Sequence, residues 1–454
     1  MKHLTPREQK LVTICKKAMK NVNRLKRALK RIKDENKLKK IALKDQSSVS
    51  NLKIKNSFLS PLSLTDCSLN KTKGRRYLMD HKLTALSLYN KSPASYNLLS
   101  KYITIPSRRT LDYMLKTIPL NSGINEEVFT KLKDIAVTNS KSEDICILSF
   151  YEIPLRKNLK LKKTQDQGNG KISSQTSSSA VVFMVAGITK SWKQPVVFHL
   201  SDTSVTAEEL TVIIKEIINE CIKIGLNILA TVCDSSQINV KALNLLGSSK
   251  DDPYFSYLGN EIVTIIDPLH LLKCTRNLFM KYDVGCTIQM DNTEIYGRIV
   301  EDELPSGAYV TAMLLHKFDQ LFDSLNADSP EKRKGQKYAT NITHRSGHEF
   351  LFNETRQLIN TMVYINCKTR PRSQDGWIRT INGVERLSNN MRSLGLNSLS
   401  TRRVNLDSLI NSFDCIRYYS GSKIKPTVSK FIAGIKTAII QNFEVNGCEG
   451  EEDK

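Results

Sequence analysis

Carboxylates that close apolar runs are the residues of this chain best suited to chemistry. "NILATVCD" (227–234) ends in Asp234, and the apolar stretch of "EIVTIIDP" (261–268) ends in Asp267. An acid in that position is how a β-strand presents a ligand to a divalent cation, because hard cations take anionic oxygen. His270 has two readings: a metal ligand beside Asp267, or an imidazole hydrogen-bonded within a helix start. His344 and His348 in "HRSGH" have i,i+4 spacing but no nearby Cys or acidic ligands, so a structural or surface role fits them better than a zinc site. The serine run "SSQTSSS" (173–179) lacks a G-x-S-x-G context and reads as a hairpin tip or linker. No G-x-x-x-x-G-K-[ST] loop occurs, which excludes a P-loop nucleotide site.

The elements that must position these acids follow from periodicity. "ICILSFYEI" (145–153), "AVVFMVAGI" (180–188) and "QPVVFHLS" (194–201) are β-rich runs, and "TAEELTVIIKEIINECIKIG" (206–225) is an amphipathic helix. Strand, helix, strand and helix then alternate through "NILATVCD", "SQINVKALNLLG", "EIVTIIDP" and "LHLLKCTRNLF". Three antiparallel strands followed by βαβ units predict a ribonuclease H-like mixed α/β sheet rather than a doubly wound one. Asp234 and Asp267 then end neighbouring parallel strands at their carboxyl edge.

Upstream, Met79–Tyr89, a segment capped by Ser92 with Pro93 in its first turn, and a segment beginning near Pro106-Ser107 read as three short helices. Tight turns between them suggest a helix-turn-helix, with Arg108, Arg109 and Thr110 at the start of the third helix, where base edges or phosphates are met. A small helical bundle with solvated arginines is the alternative. Leu11, Cys15, Ala18, Val22, Leu25, Leu29 and Ile32 alternate spacings of four and three, the a/d pattern of a coiled coil. That helix either pairs two copies of the chain or lies on the rest of the protein. "RLKRALKR" (24–31) on its outer face reads as a nuclear-import signal, a phosphate-binding stripe or a solvated face. Residues 45–73 lose all periodicity and read as a linker, and "CEGEEDK" as an acidic tail.

Composition narrows the partner. The 454 residues amount to roughly three domains. A net charge of +23 favours a polyanion, and sixteen of the Lys and Arg against four of the Asp and Glu fall in residues 1–50. No apolar run approaches the length of about 18 residues that a membrane span needs. The N-terminus lacks the apolar core of a signal peptide, and the ten cysteines show no C-x-x-C pairing, as expected for reduced thiols in a cytosolic or nuclear protein.

"SSAVVFMVAGITKSWKQPVVFHL", "VCDSSQINVKALNLLG", "DPLHLLKCTRN" and "LSTRRVNLDSLINSFDCIR…KPTVSKF" resemble the P-element-type transposase family, which includes THAP-domain transposases. Collinear matches at "KGRRY", "SLYNKSPASYNLLSK", "PSRRTL" and "GINEEVF" extend the resemblance over about Thr5 to Phe431. It implies a coiled coil (1–44), a linker (45–73) and a helix-turn-helix-like DNA-binding domain (74–140) with Arg75 and Arg76 as further DNA contacts. A ribonuclease H-like core follows in two parts (141–281 and 401–440), interrupted by a GTP-binding helical insertion (282–400), with the tail at 441–454. No Cys/His constellation precedes the coiled coil, so the expectation is a chain without the family's THAP zinc finger, with DNA recognition falling to the helix-turn-helix and the basic arm.

The resemblance also implies strand cleavage and transfer by three carboxylates holding two Mg²⁺ ions. Tyr151 stands where the first carboxylate belongs, Asp234 matches the second as the retained metal ligand, and Ile410 stands at the third. A phenol with a pKa near 10 is a poor Mg²⁺ ligand, and one aspartate does not clamp two cations. Glu152 and Asp407 are the displaced carboxylates that an active enzyme would need, although Glu152 requires a register slip to face the site. Phe322, Asp323 and Asn326 match the segment near the family's guanine pocket; Lys273, Arg276 and Asn277 are family-matched positions on a helix that either offers cations, Lys273 first, to a phosphate or is an ordinary surface stripe. The expectation is a nuclear, DNA-binding transposase derivative without cleavage activity, dimeric through Leu11–Ile32; the alternative is an active metal-dependent DNA transposase.

Overall fold

Serine caps set the first helix boundaries. In the computed structural model, which describes residues 77–118, 120–138, 145–156, 177–285, 306–328, 337–420 and 425–448, α1 runs Met79–Lys91. Ser92 Oγ then accepts from Ser95 N (3.2 Å) and Pro93 occupies the first turn of α2, Pro93–Leu99. Ser107 caps α3, Arg108–Thr117, in the same way. The connection at 100–107 is longer than the tight turn read from sequence. Pro106 holds it extended, and the Tyr96 hydroxyl donates to the Pro106 carbonyl and that of Tyr77 to Ile105 O. α4 follows at Glu126–Thr138. The chain divides into Met1–Leu64 and Thr65–Lys454, and all described residues belong to the second unit. The coiled coil, the linker, Arg75, Arg76 and the last six residues lie outside the described residues.

The core is a six-stranded mixed sheet ordered β3-β2-β1-β4-β6-β5. Its strands are β1 Ile145–Pro154, β2 Ser179–Gly187, β3 Lys193–Ser201, β4 Asn227–Cys233, β5 Tyr254–Tyr257 and β6 Asn260–Ile266. β1, β2 and β3 pair antiparallel, β4 joins β1 and β6 parallel, and β5 returns antiparallel on β6. All nine residues of β2 are buried, as a strand covered on both faces requires. α5, Ala207–Lys223, opens on a capping box between Thr206 and Glu209, and α6 spans Gln237–Leu245. The β5–β6 hairpin is absent from the sequence reading. Its two-residue turn is Leu258-Gly259, both at positive φ (49° and 80°), and Leu in place of the usual Asn or Asp hides the signature.

Beyond β6 come α7 (Pro268–Phe279), β7 (Val284–Gly285), α8 (Ser306–Leu325), α9 (His348–Thr361), β8 (Val363–Tyr364) and α10 (Arg372–Ser393). A 3₁₀ turn at Thr401–Arg403 leads to α11 (Asp407–Ser420) and α12 (Val428–Cys448). The 282–400 stretch, read as an insertion, contains an element of the core. Gly383 of α10 lies so close to β6 that a Cβ there would stand 2.8 Å from Thr264 O. Thr380 Oγ1 donates to Ile266 O (2.8 Å) and accepts from Ile266 N (3.1 Å), continuing the ladder beyond the end of β5. Arg379, 4% exposed, reaches Asn244 Oδ1 (2.7 Å), Ser248 Oγ (3.1 Å) and Thr264 Oγ1 (3.4 Å).

Candidate functional site

The carboxyl edge of β1, β4 and β6 collects the residues singled out from sequence. β1 and β4 are in parallel register at Ser149↔Val232, and two residues on stand Tyr151 and Asp234, level with each other. Asp267 is tied to the end of β4 through Asp267 N to Cys233 O (2.8 Å). It caps α7, its Oδ2 accepting from His270 N (2.8 Å), while its Oδ1 accepts from Leu406 N (2.9 Å) one residue before α11. α11 therefore starts at this edge, and its Phe413 ring lies 5.9 Å from that of Tyr151. Ile410, one turn nearer the helix start, is half-buried against the core.

Which face each β1 side chain takes is fixed by the register. Tyr151 pairs with Val182 and Val182 with Phe198, whose ring packs edge-on to Phe431 of α12 at 5.8 Å. This row thus faces α11 and α12. Glu152 pairs with Val181 and Val181 with His199, the histidine whose charge acts on Glu209 of α5. Glu152 consequently lies on the α5 face, away from Phe413, with its Oε1 buried and unpartnered among the described residues. No register slip brings it to the site.

The electrostatics are those of a closed structural corner. Asp234 Oδ1 is engaged by Ser236 N (2.9 Å) and Asn239 Nδ2 (2.8 Å), forming a turn into α6. Burial raises the Asp267 carboxyl above its usual range, against the pull of the two amide donors, and Asp407 at the start of α11 adds to the rise. His270 Nε2 lies 3.4 Å from Cys274 Sγ, a contact that raises the imidazole and lowers the thiol. Two divalent cations need several free anionic oxygens. Here Asp234 and Asp267 serve amide donors, Asp407 adds one more carboxylate near Asp267, and Tyr151, Ile410 and Phe413 are uncharged. Among the described residues, no group of three or more His, Cys, Asp or Glu is arranged to hold a metal. The residues present do not fit a two-metal centre.

The expected nucleotide residues separate. A cavity of about 470 Å³ between α7 and α8 is lined by Phe279, Tyr282, Phe318 and Phe322, with Arg276 and Asp319 as polar walls. Of Phe322, Asp323, Asn326 and Lys273 only Phe322 lines it, joined by Arg276, the other family-matched cation of α7. Asn326 accepts from Asn405 Nδ2 (3.1 Å), Lys273 is exposed on α7, and Asp323 lies one turn beyond the wall acid Asp319. "FDQLFD" carries two Phe-Asp pairs at i,i+4; the sequence reading chose the second acid, whereas the cavity takes the first.

On α3 the three expected DNA contacts also differ in role. Thr110 bonds back to the Ser107 cap (2.9 Å between hydroxyls), and Arg108 sits 5.8 Å from the Tyr89 ring and 3.8 Å from Asp112. Arg109 is exposed. His348 is buried, its ring nitrogens meeting Ser346 Oγ (2.7 Å) and Tyr338 O (3.1 Å), while His344 is exposed, as structural and surface roles require. Cys146, Cys221, Cys233, Cys274 and Cys367 are free thiols.

Comparison with known proteins agrees with this fold. Residues 120–247 match the family described as TNP-like, RNase H N-terminal domain. The transposable element P transposase of Drosophila melanogaster is 28% identical over 230 residues, which make up 49% of this chain but only 29% of that relative's length. The solved Drosophila P element transposase strand transfer complex matches with a TM-score of 0.65, covering 82% of this chain and 94% of that one. Its 20% identity makes that a likeness of fold. In sequence through its central region and in fold through most of its length, the chain is P-element-type transposase-like, built on a ribonuclease H-like sheet.

Proposed function

We propose that this protein is a transposase-derived DNA-binding protein that neither cleaves nor transfers DNA strands. The observation that carries the reading is Tyr151 packed on Phe413 beside Asp234, with Ile410 on the same helix, where the resemblance puts two further carboxylates. DNA as partner is supported by the net charge of +23 and by the likeness to a transposase. The test is a cleavage assay with Mg²⁺ or Mn²⁺ on terminal-repeat DNA, run on the wild type and Asp234→Ala. No cleavage by either is expected; cleavage lost on that substitution refutes the inactive reading. Asp407 acts electrostatically on Asp267, which is the observation favouring an active alternative, and an Asp407→Ala arm reports on it.

Two further assignments belong to the same proposal. A guanine nucleotide is the ligand class suggested by the resemblance, with the α7–α8 cavity as its place; titration calorimetry without heat up to millimolar GTP removes it. Nuclear localisation through residues 24–31 and homodimerisation through Leu11–Ile32 follow from the sequence pattern. Light scattering that gives the same monomeric mass for the wild type and Leu25→Asp disposes of the dimer.

A further inference from the structure

Arg109, Tyr113 and Lys116 stand at i, i+4 and i+7 of α3 and share one helix stripe. Leu111, Met114 and Leu115 bury the opposite side, and α3 is anchored by them against α1 and α12. All three stripe residues are exposed, Tyr113 at 69%, and neither cation is ion-paired among the described residues. Arg108 and Thr110, by contrast, are engaged by Tyr89, Asp112 and Ser107. The stripe thus leaves a large aromatic in water, flanked by two cations that have no ion-pair partner among the described residues.

Resting on the DNA-binding reading, we propose that α3 meets duplex DNA through this stripe and that Tyr113 is its sequence-discriminating residue. An α-helix fits a major groove about 12 Å wide, and with α3 lying in it the long side chains of Arg109 and Lys116, a turn to either side of Tyr113, reach the phosphates that line the groove. The residue between them meets the groove floor. A phenol offers a hydroxyl that both donates and accepts and an apolar ring that packs on a thymine methyl, whereas lysine on phosphate carries no sequence information.

Fluorescence anisotropy on the full chain tests this, comparing a random-sequence duplex with one selected by the wild type from a random library, at two salt concentrations. Lys116→Ala is expected to weaken both duplexes equally and to lower the salt slope by about 1. Tyr113→Ala is expected to cut the selected-to-random affinity ratio at least about fivefold, with unchanged thermal unfolding. Tyr113→Phe separates hydroxyl from ring: any loss it shows belongs to the hydroxyl, and the remainder to the ring. A Tyr113→Ala variant with the wild-type ratio overturns the inference while leaving the DNA reading intact. A wild type that binds neither duplex, or prefers single-stranded RNA, overturns both.

Discussion

Tyr151 stands level with Asp234 at the carboxyl edge of the sheet. Its ring occupies a half-buried place against Phe413, so an aspartate introduced there loses the aromatic contact and carries a charge into a partly desolvated place. Tyr151→Asp is expected to lower stability by about 1–3 kcal/mol in urea unfolding. The double variant with Ile410→Glu should regain part of that loss on addition of Mg²⁺, seen as a thermal shift absent from the wild type. A different residue illustrates buried charge in a structural role. Arg379 is held by three neutral acceptors, and burial lowers its pKa. Arg379→Met should cost about 3 kcal/mol, measured by the same unfolding, because Asn244 and the Ser248–Thr264 hydroxyl pair lose a donor. The place of Asp234 just after β4 was legible from an apolar run ending in an acid. That Asp267 is consumed by two amides was not, since Leu406 lies 139 residues away.

At the scale of elements, the clamp between α10 and the β5–β6 hairpin is the feature with a measurable pH signature. Arg386 reaches both oxygens of Glu261 (2.7 and 2.6 Å), Asn390 adds a third bond (2.7 Å), and the guanidinium lies 3.6 Å from the Tyr254 ring centroid. The Arg386 hydrogen bonds, more than the one from Asn390, hold the Glu261 carboxyl below its ordinary 4.5. A depressed acid contributes stability above its unfolded value, and that contribution is lost as pH falls through the folded one. Glu261→Gln should therefore be less stable than the wild type by about 1 kcal/mol at pH 7, the difference fading well below pH 4.5. Elements with a local signal were readable: Ser92, Ser107 and Thr206 mark helix starts, and the β-rich runs mark strands. The place of α10 on the sheet was not, because Thr380 and Gly383 act on β6 through contacts more than a hundred residues away in sequence.

For the whole molecule, charge and connectivity set the behaviour. With +23 overall, non-specific DNA affinity should fall by at least about a hundredfold between 50 and 200 mM salt, as anisotropy on a random duplex would report. A near-flat response would mean that the surplus cations do not meet phosphates. Connectivity has a consequence in time. The bond from Leu406 N to Asp267 joins the end of β6 to the start of α11 across 139 residues. A ribosome adding about 5–20 residues per second needs on the order of ten seconds to travel that stretch. Throughout that interval the nascent corner lacks the amide that the finished protein gives to Asp267, so the synthesis of Leu406 and α11, rather than of the strands made earlier, decides when this edge can close.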